Sequence, residues 1–287
     1  MTAILLDGRA LAKTLRADMR AEIQQFQVTT GRAPVLAIVQ VAGDPAAERY
    51  VRSIRKSCED QGVGFVARLL PAETSQTALE AAIAAVSADA SVSGVLVQLP
   101  LPRGLSQADA IAQLDPRKDV DGVHPYTAGL LMQGLPGFVP NTPAGGMELL
   151  RHYGITLAGK RALVVGRSVV VGKPMALLLL QANATVTIGH SRTPDLAALV
   201  REAEIVVVAV GRAGLISGAM LRPGAVVLDF GINVLGDGTI VGDVDFASAA
   251  EVVAAITPVP GGTGPMTNVM LLRNVLQAAR ALHGVAV

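Results

Sequence analysis

Tryptophan is absent from this 287-residue chain, aromatic residues make up 3% of it, and Cys58 is its single cysteine. Each scarcity excludes something. Proteins that hold single-stranded nucleic acid stack bases on aromatic side chains, and too few exist here for such a platform. One cysteine rules out an intrachain disulfide framework and fits a reducing compartment. The histidines, His124, His152, His190 and His283, are scattered, and the two Asp-x-Asp pairs lack neighbouring ligands, so no metal site is expected. No Ser/His/Asp arrangement or nucleophile elbow is present. A formal net charge of +1, without a long run of like charges, gives neither a polyanion nor a membrane surface an electrostatic reason to bind. No apolar run is long enough to span a bilayer, and the first residues lack the charged-then-apolar pattern of a secretory signal. A cytoplasmic protein with a small-molecule ligand is expected, with no nucleic-acid or membrane partner.

What is abundant is aliphatic. The chain is 51% hydrophobic, so its cores must be built from Ala, Val, Leu and Ile. Its length favours two α/β domains over one. A short strand at Ile4 to Leu6 precedes a helical pattern from Asp7 to about Val28, with Leu11, Leu15, Met19 and Ile23 on one face. Then Pro34 to Val41 reads as a buried strand, Pro45 to Gln61 as a helix, Val63 to Leu70 as a strand, Gln76 to Ala88 as a helix and Gly94 to Val97 as a strand. This alternation predicts a parallel sheet. Further on, a helix over Pro143 to Tyr153 leads to strands near Arg161 to Val165, Ala184 to Ile188, Ile205 to Ala209 and Ala225 to Leu228. A terminal helix runs from Met266 to Leu282. The loop-rich stretch from Asp115 to Thr142, with a short helix near Thr127 to Met132, reads as a domain junction.

Three loops draw attention. Gln98-Leu-Pro-Leu-Pro102 breaks the pattern just past a strand's carboxyl end, where open α/β sheets place ligands. Pro258 to Pro265 is rich in proline and glycine. Gly166-Arg-Ser-Val-Val-Val-Gly-Lys-Pro174 lies between a strand and an apolar helix, Met175 to Gln181. There the unpaired N–H groups and dipole of a helix start attract phosphate oxygens. Ser168 stands where the dinucleotide fingerprint G-x-G-x-x-G has its second glycine, so these residues alone fit either a pyrophosphate cradle or an ordinary strand-to-helix turn.

Taken together, these loops resemble the bifunctional methylenetetrahydrofolate dehydrogenase/cyclohydrolase family, of the FolD type, over nearly the whole chain. The resemblance rests on Gly43 to Val51, Val97-Gln-Leu-Pro-Leu-Pro102, Lys118-Asp-Val-Asp-Gly-Val-His-Pro-Tyr126, Gly166-Arg-Ser168 with Val171-Gly172, and His190-Ser191. Asp229 to Asn233, Gly242-Asp-Val-Asp-Phe246 and Pro258 to Thr267 complete it. It implies two α/β domains with a cleft between them, the second Rossmann-like and binding a nicotinamide dinucleotide, and a homodimer. The expected boundaries are a folate-binding catalytic domain over residues 1–140 plus 266–287, and an NADP-binding domain over 141–265. The family's reactions are hydride transfer from methylenetetrahydrofolate to the nicotinamide, giving a methenyl cation, and hydrolysis of that cation to formyltetrahydrofolate.

Carried over by position, Tyr50 would stack on the pterin, Gln98 and Asp121 would be its polar contacts, and Pro260 and Gly261 would line the folate site. A carboxylate such as Asp121 can accept paired N–H bonds from a pterin's amino and ring nitrogens. Gly166, Arg167, Ser168, Gly172, His190 and Ser191 would hold the cofactor, with Ile232 on the nicotinamide side. NAD sites usually place Asp or Glu at the end of the second strand to bind ribose hydroxyls, but Gly189-His-Ser-Arg192 stands here. With Arg167 and Ser191 as donors, NADP is expected over NAD.

One departure matters most. Four residues after Tyr50 the family carries lysine; this chain has Ile54. Arg55 and Lys56 point roughly 100° and 200° away around the helix. Hydride departure removes no proton, so alignment is its main requirement. Hydrolysis needs an acid/base group worth about 10²–10⁴-fold. The expectation is therefore NADP-dependent oxidation of methylenetetrahydrofolate with cyclohydrolase activity weakened or absent. The alternatives are a fully bifunctional enzyme that uses another group and a catalytically silent folate- and NADP-binding protein. Lesser departures sit at Asn141, Gly189 and Thr263, where the family often shows Cys, Cys and Val.

Overall fold

A computed structural model of the chain describes residues 3–285. The elements follow in order as β1 (Ile4–Leu5), α1 (Gly8–Thr30), β2 (Val35–Val41), α2 (Pro45–Gln61), β3 (Gly64–Leu70), α3 (Gln76–Ala88), β4 (Gly94–Val97), α4 (Gln107–Ile111) and α5 (Pro125–Gln133). After them come α6 (Asn141–His152), β5 (Arg161–Val165), α7 (Gly172–Gln181), β6 (Thr185–Gly189), α8 (Leu196–Glu202), β7 (Ile205–Val208) and β8 (Val226–Asp229). The last are β9 (Asn233–Val234), β10 (Ile240–Val241), α9 (Phe246–Ala250), β11 (Ala255–Ile256) and α10 (Gly264–His283).

The described residues divide into two compact units, one of residues 14–139 and 268–285, the other of 3–13 and 140–267. In the first, β3, β2 and β4 form a parallel sheet with β2 in the centre. Leu36, Ala37, Ile38 and Val39 are all buried, as a parallel strand covered on both faces requires. Ala37, Val39 and Val41 share one core with Leu79, Ile83 and Val95. The local signals around α2 are strong at both ends. The Asp44 side chain accepts the Ala46 N–H at 2.8 Å, Pro45 occupies the first turn, and Gly62 closes the helix at φ 78°.

The second unit holds a six-stranded parallel sheet in the order β1-β11-β8-β7-β5-β6, and β9 and β10 pair as an antiparallel ribbon. Alternate residues of its strands feed two cores: Leu163, Val165, Val206 and Val208 on one face, Ala162, Val164, Ile205 and Val207 on the other. β5 connects to β6 on one side, and the chain then returns to β7 on the other. The sheet therefore has a topological switch point at the carboxyl ends of β5 and β7.

Several boundaries differ from the sequence reading. Residues 3–13 belong with the six-stranded sheet and not with the first unit, because Ile4 and Leu6 donate N–H bonds to Ala254 and Ile256. A two-residue strand carries no pattern of its own that could name its partner. The ribbon β9–β10, the strand β11 and the short helices α4, α8 and α9 were likewise outside the sequence expectations, each being too brief for a period to show.

Candidate active site

In the three-stranded unit, the carboxyl ends of β2 and β4 open on a cavity of about 340 Å³ lined by Gln98, Asp44, Ala47 and Pro100 among others. Gln98, 8% exposed, donates Nε2 to the Leu99 carbonyl at 2.8 Å, while its buried Oε1 has no hydrogen-bond partner. Such an orphaned acceptor costs about 1–3 kcal/mol unless a ligand or water supplies the donor. Tyr50 lies on α2 one turn beyond Ala47. Burial, and after it the negative charge of Asp121, pushes its phenol above the usual tyrosine range, so the hydroxyl keeps its proton. The structure thus brings Tyr50 and Asp121 together.

The loop that presents Asp121 is fixed by its neighbour Asp119. This fully buried carboxylate accepts the N–H groups of Val123 at 3.1 Å and His124 at 2.8 Å, and burial raises its pKa. Asn274 of α10 fastens the same loop through the Val120 carbonyl at 2.9 Å. Asp119, a residue that sequence reasoning missed, therefore shapes the turn that carries Asp121.

Ile54 is fully buried on α2, one turn from Tyr50 and on the same helix face. Two of the cations near it in sequence or in the folate-side loop are engaged elsewhere. Arg55 lies over the Phe65 ring at 4.9 Å, and Lys118, only 5% exposed, donates to the Asp89 carbonyl at 2.7 Å. Burial lowers the Lys118 pKa.

At the switch point of the six-stranded sheet, Gly166 adopts φ +124°, and a Cβ there would collide with the Ala209 carbonyl oxygen, while one at Gly172 would collide with that of Gly166. The Ser168 hydroxyl accepts the N–H groups of Val171 and Gly172, each at 3.2 Å, and so caps the start of α7. Gly166 N–H donates to the Gly189 carbonyl at 2.9 Å, so Arg167 and Ser191 follow from adjacent strand ends, both exposed. His190 is half-buried, its Nδ1 accepting the Arg192 N–H at 3.2 Å. Ile232, Pro260 and Gly261 line one cavity of about 170 Å³ with Arg9.

Two family models cover most of the chain: the tetrahydrofolate dehydrogenase/cyclohydrolase catalytic domain over residues 6–121 and that family's NAD(P)-binding domain over residues 140–283. The bifunctional protein FolD of Roseiflexus castenholzii is 67% identical over 285 residues, 99% of each chain. The chain belongs to the tetrahydrofolate dehydrogenase/cyclohydrolase family. Among solved structures, the bifunctional FolD enzyme of Campylobacter jejuni superimposes with a TM-score of 0.95 at 42% identity, over 97% of this chain and 99% of that one. The Trypanosoma brucei methylenetetrahydrofolate dehydrogenase-cyclohydrolase, solved with NADP and an inhibitor, gives 0.94 at 37% identity over 98% of each chain.

The six-stranded unit of this family member suits a dinucleotide on its own geometry. A Cβ would fill the turn at Gly166, α7 begins at its far side, and β6 ends without a carboxylate. Two further residues of the unit were absent from the sequence-derived site, Asp229 and Asp243. Both are buried carboxylates that bind only N–H groups. Their motifs carried the family resemblance, but a buried acceptor is not distinguishable in sequence from a solvated turn aspartate. Among the described residues, no group of three or more His, Cys, Asp or Glu could hold a metal ion, and no helix is long and apolar enough to cross a membrane.

Proposed function

We propose that this chain oxidises methylenetetrahydrofolate to methenyltetrahydrofolate with NADP, and that it hydrolyses the methenyl product poorly. In this reading the unit of residues 14–139 and 268–285 is the folate side, where Tyr50, Gln98 and Asp121 act; Pro260 and Gly261, also expected to bind folate, belong to the other unit. Residues 141–265 form the cofactor side, where Gly166, Arg167, Ser168, Gly172, His190, Ser191 and Ile232 act. Bound NADP would supply the hydride acceptor.

The protein's own part in oxidation is to hold and orient. Tyr50 presents a ring face and a protonated hydroxyl to the pterin, Asp121 accepts from its N–H groups, and a ligand donor satisfies the Gln98 oxygen. No proton leaves during hydride transfer, so no base is needed. At the other site the absence of a carboxylate after β6, with Arg167 and Ser191 exposed at adjacent strand ends, favours a ribose phosphate over a free hydroxyl.

The observation that carries the reading of hydrolysis is Ile54, a fully buried aliphatic side chain one turn from Tyr50. Water attack on the methenyl cation builds a tetrahedral intermediate whose protons must be managed, and isoleucine can neither give nor take one. The support is this residue and not the FolD relatives, which are named as bifunctional. That naming favours a second reading, full bifunctionality, with another group as acid/base.

Product analysis separates the two. Purified protein is incubated with methylenetetrahydrofolate and NADP⁺, and NADPH, methenyl and formyl products are followed against an enzyme-free control. NADPH with accumulating methenyl product, hydrolysed no faster than the control, supports the proposal. Accelerated formyl production establishes the bifunctional reading, and absence of NADPH supports a binding protein instead. The family pattern also leads us to expect a homodimer, which light scattering of the pure protein tests.

A further inference from the structure

A carboxylate with four donors on it stands in the six-stranded unit outside the residues assigned above. Asp243, fully buried, accepts the N–H groups of Val210 at 2.7 Å and Gly211 at 2.9 Å on Oδ2, and that of Arg212 at 2.8 Å on Oδ1, which also receives Asn233 Nδ2 at 2.9 Å. Three successive backbone groups of one loop therefore converge on a single side chain. Asp243 is held in turn by Asp229, which accepts the Asp243 N–H at 3.0 Å, that of Gly231 at 2.8 Å and that of Val244 at 2.8 Å. The fit is close: a Cβ at Gly231 would collide with the Asp243 carboxylate, and one at Gly242 with Asp229 Oδ2.

The loop so gripped is the one that leaves β7 at the switch point. Residue 209 is the wall against which the Gly166 turn closes, and Val210, Gly211 and Arg212 follow it, all exposed. Open α/β sheets bind nucleotides outside the strand ends at this place. The Gly231 N–H, bound by Asp229, sets the turn that carries Ile232. We propose that Asp243, braced by Asp229, is a positioning residue for the dinucleotide, one that fixes the 210–212 loop in its binding conformation without touching the ligand. This rests on the reading of the six-stranded unit as the dinucleotide site.

The replacement Asp243→Asn keeps size but not chemistry. All four partners are donors, and an amide turned either way sets its NH₂ against two of them. Calorimetric titration with NADP⁺ is expected to show Kd at least about tenfold weaker in Asp243→Asn, the consequence of leaving buried donors unpaired beside the site. KM for methylenetetrahydrofolate stays within about twofold, since that contact lies elsewhere. A variant that is folded by circular dichroism and binds NADP⁺ as the unaltered protein does overturns the proposal. So does equal weakening of both ligands, which a merely structural role would produce.

Hydrogen exchange on the unaltered protein needs no variant. The amides of Val210, Gly211 and Arg212 are expected to be protected before NADP⁺ is added, although they are exposed loop residues. Exchange as fast as in a free loop overturns the proposal even if Asp243→Asn fails to fold. Should the unaltered protein bind neither NADP⁺ nor NAD⁺ in the same titration, the dinucleotide reading fails by itself, and this proposal falls with it.

Discussion

Replacing Ile54 by lysine tests the chemistry of the folate side most directly. Position 54 is one helical turn from Tyr50 and fully buried, while Arg55 lies over Phe65 and Lys118 is bound to the Asp89 carbonyl. Burial at position 54 disfavours a charged ammonium, so a lysine there is expected to titrate below its usual range, which makes it a better acid/base than a solvated one. A positioned group of this kind contributes about 10²–10⁴-fold, which is roughly 3–5 kcal/mol of barrier. The loss of a buried aliphatic side chain costs about 1–3 kcal/mol of stability. The assay is spectrophotometric loss of methenyltetrahydrofolate, with thermal melting of each protein alongside and Ile54→Met as the volume-conserving control. Ile54→Lys should accelerate hydrolysis by at least about 100-fold while Ile54→Met leaves it unchanged. A folded Ile54→Lys protein that hydrolyses no faster than the unaltered one refutes the reasoning. Rapid hydrolysis by the unaltered protein would do so before any substitution is made.

Burial raises the Asp229 pKa from its ordinary 3.8 to about 6, so the folded state holds a proton that the unfolded state has released between those values. Its contribution to stability is complete below about pH 4 and is lost as pH rises through 6, by about 3 kcal/mol in all. The stability difference between the unaltered protein and Asp229→Asn, from urea titrations at pH 4 and 7, should therefore shrink with rising pH, and a flat or growing difference contradicts the burial argument. Burial likewise pushes the Cys58 thiol up to about 12, and Cys58 is fully inaccessible. Thiol reagents at pH 8 should label it only as fast as the protein opens, and labelling at the rate of a free thiol would contradict this. Arg167→Ala should weaken NADP⁺ at least about tenfold while changing NAD⁺ little, and equal weakening of both would remove the ribose-phosphate role.

Much of the fold was legible in the chain. α2 and α3 run over the residues their patterns give, Pro45–Gln61 and Gln76–Ala88, and β4 and β5 likewise, because caps and prolines bound the helices and unbroken aliphatic runs mark strands covered on both faces. Of the residues expected at the candidate site, Tyr50 and Asp121 lie near each other, and Gly166 stands against Ala209 at the switch point. What escaped was short or depended on distant partners. β1 joined the far sheet through β11, a choice made by register and not by its two residues. Nothing in the sequence separates Asp119, Asp229 and Asp243 from ordinary turn aspartates; burial makes them anchors.

The sequence by itself determined the α/β alternation, the two-unit division in outline, the family, and the departure at Ile54, since these follow from local periodicity, turn chemistry and residue identity. Tertiary structure alone decided where Arg55 and Lys118 are spent, which aspartate shapes the loop that carries Asp121, and that one carboxylate holds three amides of the β7 loop. Those are properties of residues far apart in the chain, and a buried hydrogen bond exists only once folding has excluded water from both partners.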